Sequence, residues 1–249
     1  FTLGCAVSAT LAVAGHPILA IPAAMIAGAL AGFVTAFLQT KMKIPSILAG
    51  IITNTGLYTV NLAVMGFSSN VNMLKSATVF TMVKPLLGTF YRLIPGALIA
   101  AVAALLLIAF LRTRLGLSIR ATGDNPDMVR ASSINTAFTI TVGLCVANAL
   151  TALSGAVLAQ YQRTADINLG TGMVIIGLAS LIIGDTLTPK GRVHTKILGA
   201  LAGSVIYRFI IAIALRLDLP SECLKLISAV IVALAIGLPA LRGEKKGVA

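Results

Sequence analysis

Eight apolar runs, nearly free of charged residues, constrain the fold of this chain more than any other feature. A segment needs about 20 apolar residues to cross a bilayer as a helix. The runs lie at residues 1–14, 18–40, 44–66, 93–111, 136–160, 171–187, 197–215 and 223–241. Backbone polar groups in lipid must be satisfied within the segment, which favours helices. The sequence therefore predicts an all-α, polytopic membrane protein with about eight transmembrane or re-entrant helices.

Composition supports a single membrane domain over 1–249. The chain is 58% hydrophobic and only 10% charged, whereas soluble domains carry about 25% charged residues. The sixth run, 171–187, is short and flanked by glycines, so it is either a spanning helix or a re-entrant one. The first run begins at Phe1 without a preceding Met or basic flank. We therefore expect the natural N-terminus to lie further upstream.

The distribution of Lys and Arg predicts which ends of the helices face the cytoplasm. Alternating the runs puts twelve basic residues on one side, in the connections 41–43, 112–135, 188–196 and 242–249. The opposite side holds six: Lys75, Lys84, Arg92, Arg163, Arg216 and Lys225. The excess assigns the first set to the cytoplasm. The net charge of +12 is therefore explained by topology, and a nucleic-acid partner is not expected.

No pattern of a catalytic or metal site is present in the sequence. There is no Walker A motif, no Ser/His/Asp arrangement and no Cys-x-x-Cys spacing among Cys5, Cys145 and Cys223. The two histidines, His16 and His194, lie in predicted loops on opposite sides. We expect no enzymatic activity, no metal and no cofactor in this polypeptide.

Two polar connections are predicted to contain short helices. In the outer loop between Gly66 and Arg92, apolar residues recur at near-helical spacing: Leu74, Val79, Met82, Val83 and Leu86. This pattern favours a short amphipathic helix along the outer surface.

The cytoplasmic segment 112–135 is predicted to form a helix–turn–helix. Its first helix, around Ser118–Thr122, would stop at Gly123. Asp124 or Asn125 would cap a second helix over roughly 125–133, with Pro126 at its first position. The residues alone leave two alternatives: an ordinary basic loop that sets topology, or an element presented to a cytosolic partner.

The sequence Leu117–Ile134 resembles the cytoplasmic coupling loop of ABC-importer permeases of the branched-chain amino acid and ribose type. That family has Arg-Ala-x-Gly-x-Asn, then Ala and a Gly-Ile or Ser-Ile pair. Further segments resemble the subgroup linked to lipoprotein-type amino-acid binding proteins: Phe1–Gly4, Pro45–Gly50, Asn148–Gly155, Ala159–Gln162, Asp166–Asn168 and Gly177–Ser180. Two residues depart from the family pattern. Ser133 stands where Gly is usual, and Asp185 stands where the subgroup often has Glu.

This resemblance implies a type II-like ABC importer permease bundle in the cytoplasmic membrane of a prokaryote. The expected partners are separate ATPase subunits in the cytosol, a solute-binding protein outside, and a second permease subunit, as a homodimer. The solute would be an amino acid, and more narrowly an aromatic one. The residues expected to couple the chain to the ATPase are Arg120, Thr122, Gly123, Asp124, Asn125, Met128, Val129 and Arg130.

Polar residues within the apolar runs are candidates for the translocation pathway. They are Asn54, Tyr58 and Asn61 in the third run, and Asn148, Thr151 and Ser154 in the fifth. Either they form a weakly polar wall, or they make interhelical hydrogen bonds worth about 0.6 kcal/mol each. Four residues form a predicted outer entrance: Gln160, Gln162, Asp166 and Asn168.

Arg208 is the one basic residue predicted at depth, where a charge costs about 3 kcal/mol. Asp185 is its expected partner, in a structural lock or a gate. Gly28-x-x-x-Gly32 and Gly199-x-x-x-Gly203 allow close helix contact, either within the subunit or at a dimer seam. The alternative function is a secondary transporter or channel without an ATPase, which would normally place more ionisable residues in broken helices.

Overall fold

A computed structural model describes residues 1–188 and 193–216 of the chain. The described residues form ten α-helices, one 3₁₀ turn and two short strands. In chain order they are α1 Thr2–Val13, α2 Pro17–Thr40, α3 Ser46–Val64, β1 Asn70–Asn72, α4 Val79–Leu87, the 3₁₀ turn Gly88–Phe90, α5 Leu93–Arg112, α6 Arg114–Asp124, α7 Pro126–Ala131, α8 Thr136–Gln162, β2 Thr164–Asp166, α9 Met173–Leu187 and α10 Val193–Arg216. The all-α prediction is confirmed.

Five of these helices, α2, α3, α5, α8 and α10, are long and apolar enough to cross a membrane. Seven of the eight predicted runs coincide with helices, and the eighth, 223–241, lies outside the described residues. The helix α9 has 15 residues. At 1.5 Å per residue it rises about 22 Å, which is less than the roughly 30 Å of a hydrocarbon core.

The described helices fall into two compact units, one formed by residues 1–170 and the other by the described residues from 171 to 216. In the first unit, α2 packs closely against α8 through glycines. A Cβ atom placed on Gly32 would lie 2.6 Å from the carbonyl oxygen of Leu144, and one on Gly28 would lie 2.5 Å from that of Asn148. Such close backbone contact drives helix association in lipid. The Gly28-x-x-x-Gly32 motif therefore serves packing within the chain.

The short helix α1 lies against α8 as well, and the two run in parallel. The thiol of Cys5 donates to the carbonyl of Gly155 at 3.1 Å, and the hydroxyl of Ser8 donates to Ala156 at 3.2 Å. Gly4 contacts the backbone of Ala152. Because α1 and α8 offer small residues to each other, their backbones approach closely.

A two-stranded antiparallel ribbon, β1–β2, lies at the end of the first unit where α8 finishes. Val71 pairs with Ala165 at its centre. Ala165 is fully buried in a cluster with Met65, Met73 and Ala9. Sequence analysis missed this ribbon, because three-residue strands are too short to show an alternating pattern.

The predicted amphipathic helix is confirmed as α4, which lies at the same end as the ribbon. Thr78 and Thr81 cap its start in a reciprocal capping box. The prediction was wrong for one of the five apolar residues. Leu74 lies in a turn before the helix rather than on its apolar face, because the cap at Thr78 sets where the helix begins.

In the second unit, α9 and α10 form an antiparallel pair. A Cβ atom on Gly203 would lie 2.6 Å from the amide nitrogen of Gly184, and one on Gly199 would lie 2.9 Å from the carbonyl oxygen of Gly184. The second glycine motif therefore also serves packing within the chain.

Candidate functional site

The candidate site is the hairpin of α6 and α7, which lies at the end of the first unit where α8 begins. Asn125 joins the two helices in an extended conformation, with φ −154° and ψ 98°. Its side-chain oxygen accepts hydrogen bonds from the amides of Asp127 and Met128, each at 3.1 Å. Of the two predicted caps, Asn125 is thus the one used, and Pro126 occupies the first helical position.

Gly123 does not stop the first helix, so that prediction is wrong. The helix α6 continues through Gly123 to Asp124. Gly123 is absent from the described residues with positive φ, and the extended backbone of Asn125 ends the helix instead. A glycine commonly ends a helix by adopting the left-handed conformation, which Gly123 does not adopt.

The second helix ends in a Schellman motif, which makes it shorter than predicted. The amide of Ile134 donates to the carbonyl of Val129 at 3.3 Å, and the amide of Ser133 donates to Arg130 at 3.1 Å. Ser133 has φ 61°. This is the left-handed region, which costs an L-residue other than glycine roughly 1–2 kcal/mol. Because glycine adopts this conformation without that cost, glycine would suit position 133 better than serine does.

Three residues anchor the hairpin to α8. The hydroxyl oxygens of Thr122 and Thr139 lie 2.9 Å apart in a buried hydrogen bond. Val129 is 3% exposed. The guanidinium Nε of Arg130 donates to the hydroxyl of Thr136 at 3.2 Å. Thr122 and Val129, predicted as coupling residues, therefore cannot contact a partner directly, because they are buried where the hairpin packs. They position the hairpin.

Most of the hairpin, including the anchoring Arg130, is exposed to solvent. Gly123, Asp124, Asn125, Met128 and Arg130 are exposed. Met128 is 67% exposed, as Leu117 of α6 is at 60%, and flexible methionines are common at adaptable binding surfaces.

A cleft of about 410 Å³ runs along α6 and is lined by Leu117, Arg120, Ala121 and Asp124. Positions i, i+3, i+4 and i+7 share one helix face. Leu117 and Ala121 were not among the predicted residues, although this spacing could have found them. The Nε atom of Arg120 is buried without a hydrogen-bond partner among the described residues. Its N–H group is therefore an unsatisfied hydrogen-bond donor in the wall of the cleft.

The predicted pathway residues of α3 do not share one environment. Asn54 and Tyr58 are exposed. Asn61 is 6% exposed, and its side-chain oxygen has no partner among the described residues. The interhelical hydrogen bond from α3 comes instead from Thr53, whose hydroxyl lies 3.1 Å from that of Thr35 in α2.

In α8 two of the three predicted pathway residues bond to their own helix. The amide of Asn148 donates to Leu144 and the hydroxyl of Thr151 donates to Ala147, each at 2.9 Å. Thr151 and Ser154 are exposed. A translocation role for these residues stays a prediction.

At the outer end, the structure separates Gln160 from its predicted companions. Gln162 and Asn168 are exposed, and Asp166 is half-buried in β2. Gln160 is 1% exposed and makes hydrogen bonds to three other segments. The prediction that Gln160 meets an entering solute is wrong in its geometry, because the side chain points between helices.

The predicted ion pair of Asp185 with Arg208 is wrong. Asp185 pairs with Lys196 at 3.3 Å, and both side chains are exposed. Because α9 and α10 are antiparallel with Gly184 beside Gly199, Arg208 lies level with about Ile175. That is about 15 Å along the helix from Asp185.

Residues 1–236 match the family described as the permease component of branched-chain amino acid transport systems. The chain is 34% identical to a tyrosine transport system permease protein of Clostridioides difficile, over 93% of this chain and 77% of that protein. It is 24% identical to the ribose import permease protein RbsC of Haemophilus influenzae, over 92% of this chain and 70% of that protein. No solved structure matches the chain.

Proposed function

The chain belongs to the family of branched-chain amino acid transport permeases, and from this premise we propose that it imports an amino acid driven by a separate ATPase. The family places it among the multi-pass permeases of ABC importers. The chain would form the membrane pathway, while ATP hydrolysis would take place on another polypeptide. This assignment agrees with the lack of a Walker A motif in the sequence.

The observation that carries the proposal is the α6–α7 hairpin. It projects from the bundle at the end that the charge distribution assigns to the cytoplasm. Its surface combines the exposed Met128 with the cleft along α6. Its base is fixed to α8 through Thr122 and Val129. A short capped element, anchored in this way, can move as a rigid body when an ATPase that binds it changes conformation.

The transmission path would run from the hairpin into α8. Because the hydroxyl of Thr122 bonds to Thr139, a displacement of α6 acts on the first turn of α8. The glycine contacts of Gly28 and Gly32 then join α8 to α2 over the middle of both helices. A close-packed pair of this kind moves between discrete arrangements rather than deforming gradually.

An amino acid is the solute that the relatives favour. The relative with 34% identity carries tyrosine in its name, whereas the sugar permease is 24% identical. We propose an aromatic or related amino acid. The exposed polar residues Asn54, Tyr58, Thr151 and Ser154 would line the pathway where two permease subunits meet, as a homodimer. An extracytoplasmic binding protein would deliver the solute to the end that carries Gln162 and Asn168.

The test compares two methionines that lie on the same predicted side of the membrane. Met128 and Met42 are 67% and 58% exposed, but only Met128 is in the hairpin. The chain is co-expressed with each ABC ATPase subunit of the same organism, and the amount of ATPase that co-purifies is measured. We expect Met128→Glu to lose the ATPase and Met42→Glu to retain it.

Two results would contradict the proposal. Equal ATPase capture by both variants would show that the hairpin is not the docking element. If the unaltered chain captured no ATPase, while proteoliposomes containing it transported an amino acid along an ion gradient, the chain would be a secondary transporter.

A further inference from the structure

A cluster of basic and aromatic side chains lies at the opposite end of the first unit from the hairpin. The ammonium of Lys84 lies 5.7 Å from the ring centroid of Tyr91, and the guanidinium of Arg92 lies 5.4 Å from the same centroid. Arg92 also lies 5.6 Å from the ring centroid of Tyr161, which packs edge-to-face on Phe80. The contacts with Tyr91 and Tyr161 are of the cation–π type.

Neither cation has a carboxylate counter-ion among the described residues. Within the described part of the chain the ion pairs are Arg130 with Asp127 and Lys196 with Asp185, so neither Lys84 nor Arg92 is paired with a carboxylate. Like charges held around one aromatic ring repel each other, and an anion placed between them would relieve that repulsion. The site therefore favours a ligand with net negative charge.

The neighbours of this cluster in the chain include apolar side chains that are exposed. Met82, Phe90 and Leu93 are 50%, 62% and 69% exposed. Arg92 directly precedes α5, in which Pro95 is the one buried residue among those described. Because no other described residue of α5 is buried, this apolar helix can face lipid, and Arg92 at its start lies at the boundary between lipid and water. Basic and aromatic residues at this boundary interact with lipid headgroups.

We propose that Lys84 and Arg92 bind the headgroup of an anionic phospholipid in the outer leaflet, and that its acyl chains pack on Met82, Phe90 and Leu93. A zwitterionic lipid is a poorer ligand, because its own cation offsets the phosphate charge. The site is independent of transport. It would hold α4 at the membrane surface, next to the helices that α4 contacts.

The test measures lipid binding to the purified protein. Protein in detergent is titrated with dioleoylphosphatidylglycerol or dioleoylphosphatidylcholine, and the lipid retained by each molecule is counted by native mass spectrometry. Lys84→Gln combined with Arg92→Gln is compared with Lys75→Gln combined with Lys41→Gln. The second pair removes the same charge from exposed lysines without ring contacts.

We expect the first pair to weaken phosphatidylglycerol binding by roughly 30-fold, or about 2 kcal/mol at about 1 kcal/mol per basic residue. The control pair should bind as the unaltered protein does. A charge-preserving pair, Lys84→Arg with Arg92→Lys, should also retain the lipid. If the glutamine pair does not yield monodisperse protein, Arg92→Gln alone should lose about fivefold.

Three results would overturn the proposal. Unchanged phosphatidylglycerol binding in the glutamine variants would remove the site. An equal loss in the control pair would show a general effect of net charge. Unchanged lipid binding, together with weakened binding of the cognate extracytoplasmic protein, would assign Lys84 and Arg92 to a protein partner instead.

Discussion

Replacing Gln160 by leucine should detach α4 from the membrane helices. The side-chain amide of Gln160 donates to the hydroxyl of Ser8 at 3.1 Å and to the carbonyl of Pro17 at 3.0 Å. Its oxygen accepts from the amide of Val79 at 3.0 Å. One residue of α8 is thereby bonded to the short helix α1, to the first residue of α2 and to the first residue of α4.

The expected loss follows from these three hydrogen bonds. At about 0.6 kcal/mol each, they contribute roughly 2 kcal/mol. Leucine has a similar volume, so a large cavity is not expected. It leaves the half-buried amide of Val79 unpaired, at a cost of about 1–3 kcal/mol, whereas the carbonyl of Pro17 still accepts the first hydrogen bond within α2. Ser8 retains its bond to Ala156. The two bonds to Ser8 and Pro17, about 1 kcal/mol together, and the unpaired amide of Val79 give an expected total loss of roughly 2–4 kcal/mol.

Hydrogen exchange and thermal unfolding in lipid nanodiscs measure this loss. The amide of Val79 loses its acceptor, so its exchange should accelerate by more than tenfold, together with neighbouring amides of α4. The melting temperature should fall. The matched control is Gln162→Leu, which makes the same substitution two residues later at an exposed position. It should change neither quantity.

The prediction fails if exchange at Val79 is the same in both variants. That outcome would mean that the capping box of Thr78 and Thr81 holds the start of α4 without help from Gln160. A general fall in melting temperature without faster exchange in α4 would also contradict it, because the destabilisation would then not involve the bond to Val79.

Three further outcomes are expected. Gly32→Ala should destabilise the chain by about 1–3 kcal/mol in thermal unfolding, because its Cβ would meet the backbone of α8. Gly56→Ala, which has open space around it, should be neutral or stabilising. Thr122→Val should lose roughly 1 kcal/mol and speed amide exchange in α6. Equal exchange in the variant and the unaltered chain would refute the anchoring role of Thr122. Ser133→Gly should raise the melting temperature, because it relieves about 1 kcal/mol of left-handed strain, whereas Ser133→Val should lower it.

The positions of the helices could be predicted from sequence because they depend on local properties. The length of an apolar run decides whether a helix can cross lipid, and the runs coincide with the observed helices over the described residues. Capping is local as well. Asn125 followed by Pro126 predicted the start of α7 within a residue, since the cap and the first helical position are adjacent in the chain.

The end of α6 shows where local rules were insufficient. Gly123 and Asn125 could each have ended the helix, and both are common at helix ends. The cap that Asn125 provides to α7 required an extended backbone at that residue, so α6 continued past Gly123. The residue at which α6 ends was therefore decided by the start of α7 and not by Gly123.

The direction of each polar side chain was decided by tertiary structure. A helix that is apolar on every side carries no periodic signal of which face is buried. In α8, the small residues Ala152, Gly155 and Ala156 set the rotation of the helix by packing on α1 and α2. That rotation points Gln160 inward and leaves Gln162 exposed. Likewise, the glycine contacts of α9 and α10 set the register that pairs Asp185 with Lys196. Sequence determined which segments are long and apolar enough to cross a membrane, and close backbone packing determined what each of the described helices faces.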